Sequence, residues 1–487
     1  MRVLLINPDS AVVNQSWAYR RFCAPIAPLG IAYIASVLEK DGFEVSIFDQ
    51  FALKTGDNAL FRHIDNFRPE VIGFASLTTV LPDIKRIVNV IRRIYARITV
   101  VMGHIHATCF PEEVLRDGLA DIIVRGEGEY TMLEICRLIR ERRSWKEVDG
   151  ISYKEGPSVV NNPDRSMIED LDSLPLPAWH LFDLDRYTEA PMVAINRSRA
   201  FPIIASRGCR YRCYYCSQDK VYPRMRFRDL RKVADEMEYF NDTLQIKYFG
   251  VSDAYFPWDE ESGLRFCDII IKRGLHRRIR WCTETRVDKV TARLLREMKE
   301  SGAHLIMYGI EVGNADVLKR LNKGTTLEQA CRAVKETRKA GILCQGLFIL
   351  GLPGETADTC RQTISFAKRL DCDIVKFNLA VPYPGSRFFE EHGRPALSKA
   401  PEKFTSWADW TLLKGQLVYV PDGMDSDTLR SLQRKGMLEY YIRPKTIIRN
   451  LLRGTVSLNN LFWGGMWLVT VFFSGNLKKL AKLLGRG

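Results

Sequence analysis

The stretch "AFPIIASRGCRYRCYYC" (200–216) joins a short apolar run to three cysteines, Cys209, Cys213 and Cys216, spaced by three and then two residues. The run 200–205 reads as a β-strand, with the cysteines at its carboxyl end. Compact thiolate groups of this kind bind zinc or iron–sulfur clusters. A closed zinc site needs a fourth ligand, and the nearest candidate is His180. Three thiolates can instead hold three irons of a 4Fe–4S cluster and leave the fourth iron open. Arg207, Arg210 and Arg212 lie among the cysteines and are expected to favour their ionised form.

Downstream, the runs "IKYFGVSD", "IRWCTETR", "HLIMYGIEVG", "LCQGLFILGLPG" and "DIVKFNLAVPYPG" alternate with helical segments such as "LEQACRAVKETRKAG". With the strand at 200–205 they make six βα units, the pattern of a partial (β/α)6 TIM barrel with its chemistry at the strand carboxyl ends. Upstream, "RVLLINP", "FEVSIFD", "VIGFASL", "ITVVMG" and "DIIVRG" are Val/Ile-rich strands separated by amphipathic segments. They predict an α/β, doubly wound parallel sheet over 1–145, with a ligand crevice at the turns that follow the strands. Residues 146–195 read as a Pro-punctuated linker with a small hairpin, 196–390 as the barrel, and 391–487 as a helical, basic and apolar region.

The chain has 487 residues, 46% hydrophobic and 27% charged, a composition that suits several globular domains. "MRVLLINPDS" reads as a first strand rather than a signal sequence, so a cytoplasmic protein with reduced thiols is expected. The net charge is +14, but Arg430–Gly487 alone holds eleven Lys or Arg against one acid, Glu439. The remaining body is close to neutral, which argues against a nucleic-acid groove. Within the tail, "LFWGGMWLVTVFF" (461–473) is shorter than the roughly 20 residues that span a bilayer. Its aromatic residues and the lysines that follow suit peripheral contact with an anionic membrane surface. A helix covering the barrel is the plainer alternative.

The Cys-x3-Cys-x2-Cys motif after the first barrel strand resembles the signature of the radical S-adenosylmethionine (SAM) enzymes. "FGVSD" (249–253), "WCTETRVD" (281–288), "YGIEVG" (308–313), "FILGLPGET" (348–356) and "PYPG" (382–385) extend that resemblance. The N-terminal segment, with "GHIHAT" and "RGEGE", resembles the cobalamin-binding domain of one radical SAM subgroup. Together these cover roughly 1–390. The resemblance implies a 4Fe–4S cluster on Cys209, Cys213 and Cys216, SAM on its open iron, and a reductase such as flavodoxin or ferredoxin as electron donor. It implies SAM contacts from Tyr215, Gly250, Asp253, Glu284, Arg286 and Glu311. For cobalamin it implies the turns bearing Pro8, Ser76, Thr78, Gly103, His106, Gly126 and Glu127. An Asp-x-His-x-x-Gly motif is absent, so neither His104 nor His106 is expected as a cobalt ligand.

The activity this implies is methyl transfer from methylcobalamin to an unactivated carbon of a small hydrophobic molecule, after a 5′-deoxyadenosyl radical removes a hydrogen. The alternative is oxidative cyclisation, as in the anaerobic magnesium-protoporphyrin monomethyl ester cyclase. A tRNA methylthiotransferase would need a second cysteine triad, and Cys23, Cys109 and Cys136 are widely separated. A non-catalytic cobalamin- or membrane-binding protein would have degenerate cysteines, and these are intact.

Overall fold

The computed structural model describes residues 1–9, 24–189, 198–399 and 417–453. Cys23, the aromatic segment "FTSWADWTLLKGQ" and the run 461–473 lie outside the described residues.

Five parallel strands, β1 (Arg2–Asn7), β2 (Glu44–Asp49), β3 (Val71–Ala75), β4 (Thr99–Gly103) and β5 (Ile122–Val124), form the N-terminal sheet. The order is β2-β1-β3-β4-β5. Both faces are covered, as near-continuous apolar strands require. Val3 and Leu5 pack under the helices Leu29–Lys40 and Glu129–Arg140, whereas Leu4 and Ile6 pack under Asp57–Phe67 and Leu81–Ile94. Each such side chain contributes about 1.5–3 kcal/mol on burial. The chain leaves β1 toward one side for β2 and returns on the other for β3. This topological switch opens a crevice beyond the strand ends.

The hairpin expected inside the linker belongs to this sheet. β6 (Ile151–Glu155) pairs antiparallel with β5, and β7 (Ser158–Asn161) pairs with β6. Ile151 and Tyr153 are buried in the sheet's core, so the strand is anchored by packing and not only by its ladder.

The second sheet is a six-stranded parallel array, β8 (Ala200–Ile203), β11 (Tyr248–Val251), β12 (Arg280–Thr285), β13 (Ala303–Glu311), β14 (Leu343–Leu350) and β15 (Ile374–Leu379), paired in that order. Between β8 and β11 lies the short ribbon of β9 (Ser206–Arg207) and β10 (Arg226–Phe227). Phe249, Trp281, Ile306, Tyr308, Phe348 and Phe377 face outward into the helical layer. The alternate residues therefore face the lumen. Leu305, Leu343 and Ile374, with Cys282 and Met307, make an apolar floor there. Above the floor the lumen carries Glu284, Gln345, Lys376 and Asn378.

The helix Ser426–Tyr441 lies against β15, where Tyr441 OH donates to the Val375 carbonyl at 2.8 Å. Among the described residues, no helix is long and apolar enough to cross a membrane.

Candidate active site

The loop that carries the three cysteines leaves β8 and is closed at its base by the β9–β10 ribbon. Gly208, φ +92°, makes the turn into it. A Cβ there would lie 2.2 Å from the Arg224 carbonyl oxygen, so only glycine fits between the two arms. We expect Gly208→Ala to displace the loop, cost about 1–3 kcal/mol or more, and sharply reduce iron and sulfide retained after anaerobic reconstitution. Gly274→Ala, at φ +68° with open space around it, is the control for backbone strain alone. Equal iron contents in the two variants would refute the role given to Gly208.

The loop backbone is held to the barrel by Tyr214 N–H donating to Leu321 O (2.9 Å) and Phe388 N–H donating to Tyr214 O (3.0 Å). Cys209 and Cys213 are half-buried and Cys216 is exposed; none is in a disulfide. Burial raises the Cys213 thiol, and the cations that oppose it are Lys323 and Arg286. The expectation for Arg207 and Arg212 is thereby corrected: Arg207 is buried against carboxylates of the other sheet, and Arg212 pairs with Asp219 at 2.9 Å. Among the described residues, no group of three or more His, Cys, Asp or Glu side chains is arranged for a single metal ion. Three thiolates on one loop would hold three irons of a 4Fe–4S cluster and leave the fourth without a protein ligand.

The other expected SAM residues sit around this loop with different kinds of partner. Asp253 is 5% exposed and accepts from Ala205 N (2.8 Å), Ser206 Oγ (2.6 Å) and Trp258 Nε1 (3.2 Å). Burial pushes its carboxyl up to about 6 against these hydrogen bonds. It ties the end of β11 to the entrance of the cysteine loop. Gly250 faces the lumen, where an added Cβ would meet Cys282 Sγ at 3.7 Å. Arg286 pairs with Asp288 (2.9 and 3.0 Å), and its guanidinium lies 3.5 Å over the Tyr211 ring.

Glu311 ends β13 beside an irregularity in the ladder, at φ +70°, and pairs with the buried Lys323. Lys323 Nζ also lies 3.4 Å from Tyr215 OH. A Cβ on Gly309 would come within 2.6 Å of both partners, so the glycine makes room for this pair. Burial, followed by the Glu311 charge, raises the Glu284 carboxyl, while Lys376 and Lys323 lower it. Lys323 and Lys376 were not singled out from the sequence: one lies in a loop after a short helix, the other on a strand whose register alone turns it inward.

Beyond β14, Glu355 accepts from Gly351 N (2.7 Å) and Leu352 N (2.8 Å), which shapes the "GLPG" turn. Burial pushes its carboxyl up to about 7. A carboxyl raised in the folded state favours folding below its ordinary value, and that contribution is lost as pH rises toward about 7. Glu355→Gln keeps an acceptor for both N–H groups. Its melting temperature relative to wild type is therefore expected to climb between about pH 5 and about pH 8; a difference independent of pH would refute this.

A cavity of about 600 Å³ lies between the crevice of the N-terminal sheet and the segment just after Cys216. Its walls include Asn7, Leu29, Gly30, Ala75, Leu77, Gly103, His104, Gly126, Glu127, Ser217, Gln218 and Tyr222. Space is open at Gly30 and Gly126, where an added Cβ would meet nothing within 4 Å. Of the expected cobalamin residues, Gly103, Gly126 and Glu127 line the cavity. Pro8, Ser76, Thr78 and His106 are buried and absent from its walls.

Ser76 and Thr78 brace the "GHIHAT" turn: Ala107 N donates to Ser76 Oγ (3.3 Å), and Thr78 Oγ1 lies 3.2 Å from His106 Nδ1. Burial lowers His106 to about 3, so it stays neutral. His104 reaches the wall instead. Its Nδ1 accepts from Ile105 N at 2.8 Å, which puts the imidazole proton on Nε2 and leaves no free ring lone pair.

The two sheets are fastened next to both sites. Arg207 donates to Glu127 (2.7 Å) and Glu129 (2.5 Å), and Arg226 donates to Glu127 (2.7 Å). Glu127 also accepts from Ile168 N at 2.8 Å. Burial alone would raise the Glu127 carboxyl, but Arg226 and Arg207 hold it below its ordinary value.

A barrel with a three-cysteine loop at its rim, facing a sheet crevice, matches two protein families. Residues 203–367 match the Radical SAM superfamily and residues 22–136 match the B12 binding domain. An uncharacterized methyltransferase of Pyrococcus horikoshii is 30% identical over 453 residues, covering 93% of this chain and 95% of the relative. The chain belongs to the cobalamin-binding radical SAM enzymes, with SAM, a 4Fe–4S cluster and cobalamin as the family's cofactors.

The anaerobic magnesium-protoporphyrin IX monomethyl ester cyclase of Rubrivivax gelatinosus is 30% identical over 405 residues, covering 81% of this chain and 70% of that one. Among solved structures, the radical SAM methyltransferase TsrM from Kitasatospora setae has the same fold, with a TM-score of 0.65 at 20% identity. That match covers 81% of this chain and 75% of TsrM.

Proposed function

We propose that this protein is a methyltransferase that alkylates an unactivated carbon of a small molecule held in the barrel lumen. The observation that carries this reading is the shared wall. Ser217, Gln218 and Tyr222, directly after Cys216, line the same cavity as the sheet turns at Gly103 and Gly126. A cluster on Cys209, Cys213 and Cys216 and a corrinoid in the cavity would then serve one substrate. When bound, the cluster with SAM supplies a 5′-deoxyadenosyl radical, and methylcobalamin supplies a methyl group.

The chain's own residues do the rest. Asp253 and the β9–β10 ribbon fix the cysteine loop, and Tyr215, Gly250, Glu284 and Glu311 with Lys323 bound the SAM side of the lumen. Arg286 acts through Tyr211, whose ring it covers. Gly103, Gly126 and Glu127 belong to the cobalamin side, with Ser76, Thr78 and His106 supporting their turn. A bound corrinoid would find no ligand in "GHIHAT", because His104 Nδ1 accepts from Ile105 N and His106 is buried against Thr78. The apolar floor closes the lower end of the lumen, which would limit water there during a radical reaction. A flavodoxin- or ferredoxin-type reductase supplies electrons, in the cytoplasm, with the C-terminal tail in peripheral membrane contact.

The test is anaerobic reconstitution with iron, sulfide and hydroxocobalamin, followed by incubation with SAM, a reductant and an extract of small molecules. S-adenosylhomocysteine formed together with 5′-deoxyadenosine supports methylation. 5′-Deoxyadenosine alone favours the second reading, oxidative cyclisation, which the similarity to the magnesium-protoporphyrin cyclase supports.

A further inference from the structure

The end of the barrel opposite the cysteine loop has a feature that cofactor chemistry does not use. The barrel helices finish there before the next strand begins, and several of their ends are basic. Lys299 closes Ala292–Glu300, Lys335, Arg338 and Lys339 close Leu327–Lys339, Arg369 closes Ala357–Leu370, and Arg280 opens β12. A cavity of about 480 Å³ on this end is walled by Lys335, Arg338, Lys339, Arg369 and Arg453, with Cys331 and Leu370, and no acid lines it.

The nearby carboxylates are already engaged, Glu336 by Lys339 itself at 2.8 Å on the exposed surface. Asp371 binds Arg449 (2.7 Å), Lys445 (2.9 Å), Arg338 (3.2 Å) and Arg443 (3.3 Å); Asp373 binds Arg453 (2.9 Å) and Arg449 (3.2 Å). The cations crowd one another: after burial, the charges of Arg280 and Arg453 lower Lys299.

The helix Pro444–Leu452 lies on this end with its polarity inverted. Thr446 and Asn450 are buried against the protein, whereas Ile448 is 56% and Leu452 is 84% exposed, one turn apart. Ile442, just before the helix, is 52% exposed. An apolar stripe within a field of cations matches a surface that is anionic outside and apolar beneath. Residues 454–487 carry Lys478, Lys479, Lys482 and Arg486 and no acid, so the charged end of the tail cannot neutralise these cations, whereas acidic headgroups do.

We propose that this basic end of the barrel docks on an anionic lipid bilayer, with Ile448 and Leu452 entering the interface and Lys335, Lys339 and Arg369 holding acidic headgroups. The proposal rests on the membrane-contact reading of the tail and extends it to the folded body.

The test is sedimentation of the full-length, cofactor-loaded protein with vesicles of phosphatidylglycerol and phosphatidylcholine, and of phosphatidylcholine alone. Partition onto the anionic vesicles only, weakened by salt, is expected. The triple variant K335E/K339E/R369E should partition at least about a hundredfold more weakly, from roughly a fivefold effect per surface cation. I448S/L452S tests the stripe with all charges kept and should also lose binding. K478E/K479E/K482E separates the tail. If only this last variant loses binding, the tail reading stands and the docking face is overturned; if wild type ignores anionic vesicles, both fall. Retention on tRNA without vesicle binding would also overturn the proposal. Cobalamin retention reports that each variant is folded.

Discussion

Cys213→Ala is expected to abolish formation of 5′-deoxyadenosine from SAM. Cys213 is the central member of the triad, half-buried beneath Lys323 and Arg286, and no other cysteine is close enough in sequence to replace it. A cluster left with two protein thiolates would be lost or inactive. Cobalamin retention should survive, because the cavity's wall begins only at Ser217 and is otherwise built from the N-terminal half and the 218–222 segment. Cys331→Ala, at an exposed helical position, is the matched control and should behave as wild type. Any turnover of SAM by Cys213→Ala under strictly anaerobic conditions would remove the cluster from these residues.

The second large effect is expected from Arg207→Met. The side chain is 6% exposed and donates to two carboxylates equally hidden from solvent. Breaking a buried pair strands the opposite charge and typically costs about 3–5 kcal/mol. Arg207→Lys should recover little, since an ammonium cannot span Glu127 and Glu129 as the guanidinium fork does. The pH dependence has a definite sign. Glu127 is held below its ordinary value, so its contribution is present above about pH 4.3 and is lost as pH falls through the folded-state value. The stability gap between wild type and Arg207→Met, measured by urea unfolding, should therefore narrow in acid. A gap that widens in acid, or is below about 1 kcal/mol at neutral pH, would mean the ion pair does not fasten the sheets.

The N-terminal sheet was legible because parallel strands buried on both faces are written as Val/Ile runs, the barrel because its short strands alternate with helical segments, and the cysteine triad because its spacing is local. What was hidden depends on tertiary register. The hairpin 151–161 has a turn signal but nothing that says which edge it joins; Ile151 and Tyr153 become core residues only once β5 is beside them. His104 and His106 are two residues apart, and the left-handed backbone at His104 decides which one reaches the cavity. Arg207 reads as a cation for the thiolates because it is two residues from Cys209. Its partners lie some eighty residues away, and no sequence spacing links them. The same holds for Lys323, which meets Glu311 only because the chain doubles back over the end of β13.

The Glu127–Arg207 clasp also bears on how this protein could be rebuilt. Glu127 sits between the two glycines of a cavity turn, and Arg207 sits two residues before Cys209, so this buried contact sets the spacing between the cavity turn and the cysteine loop. A chimera that exchanges the N-terminal sheet for that of a relative must bring a matching partner for Arg207 and Arg226. Without one, each half would keep its own fold, yet the cavity turn and the cysteine loop would be out of register.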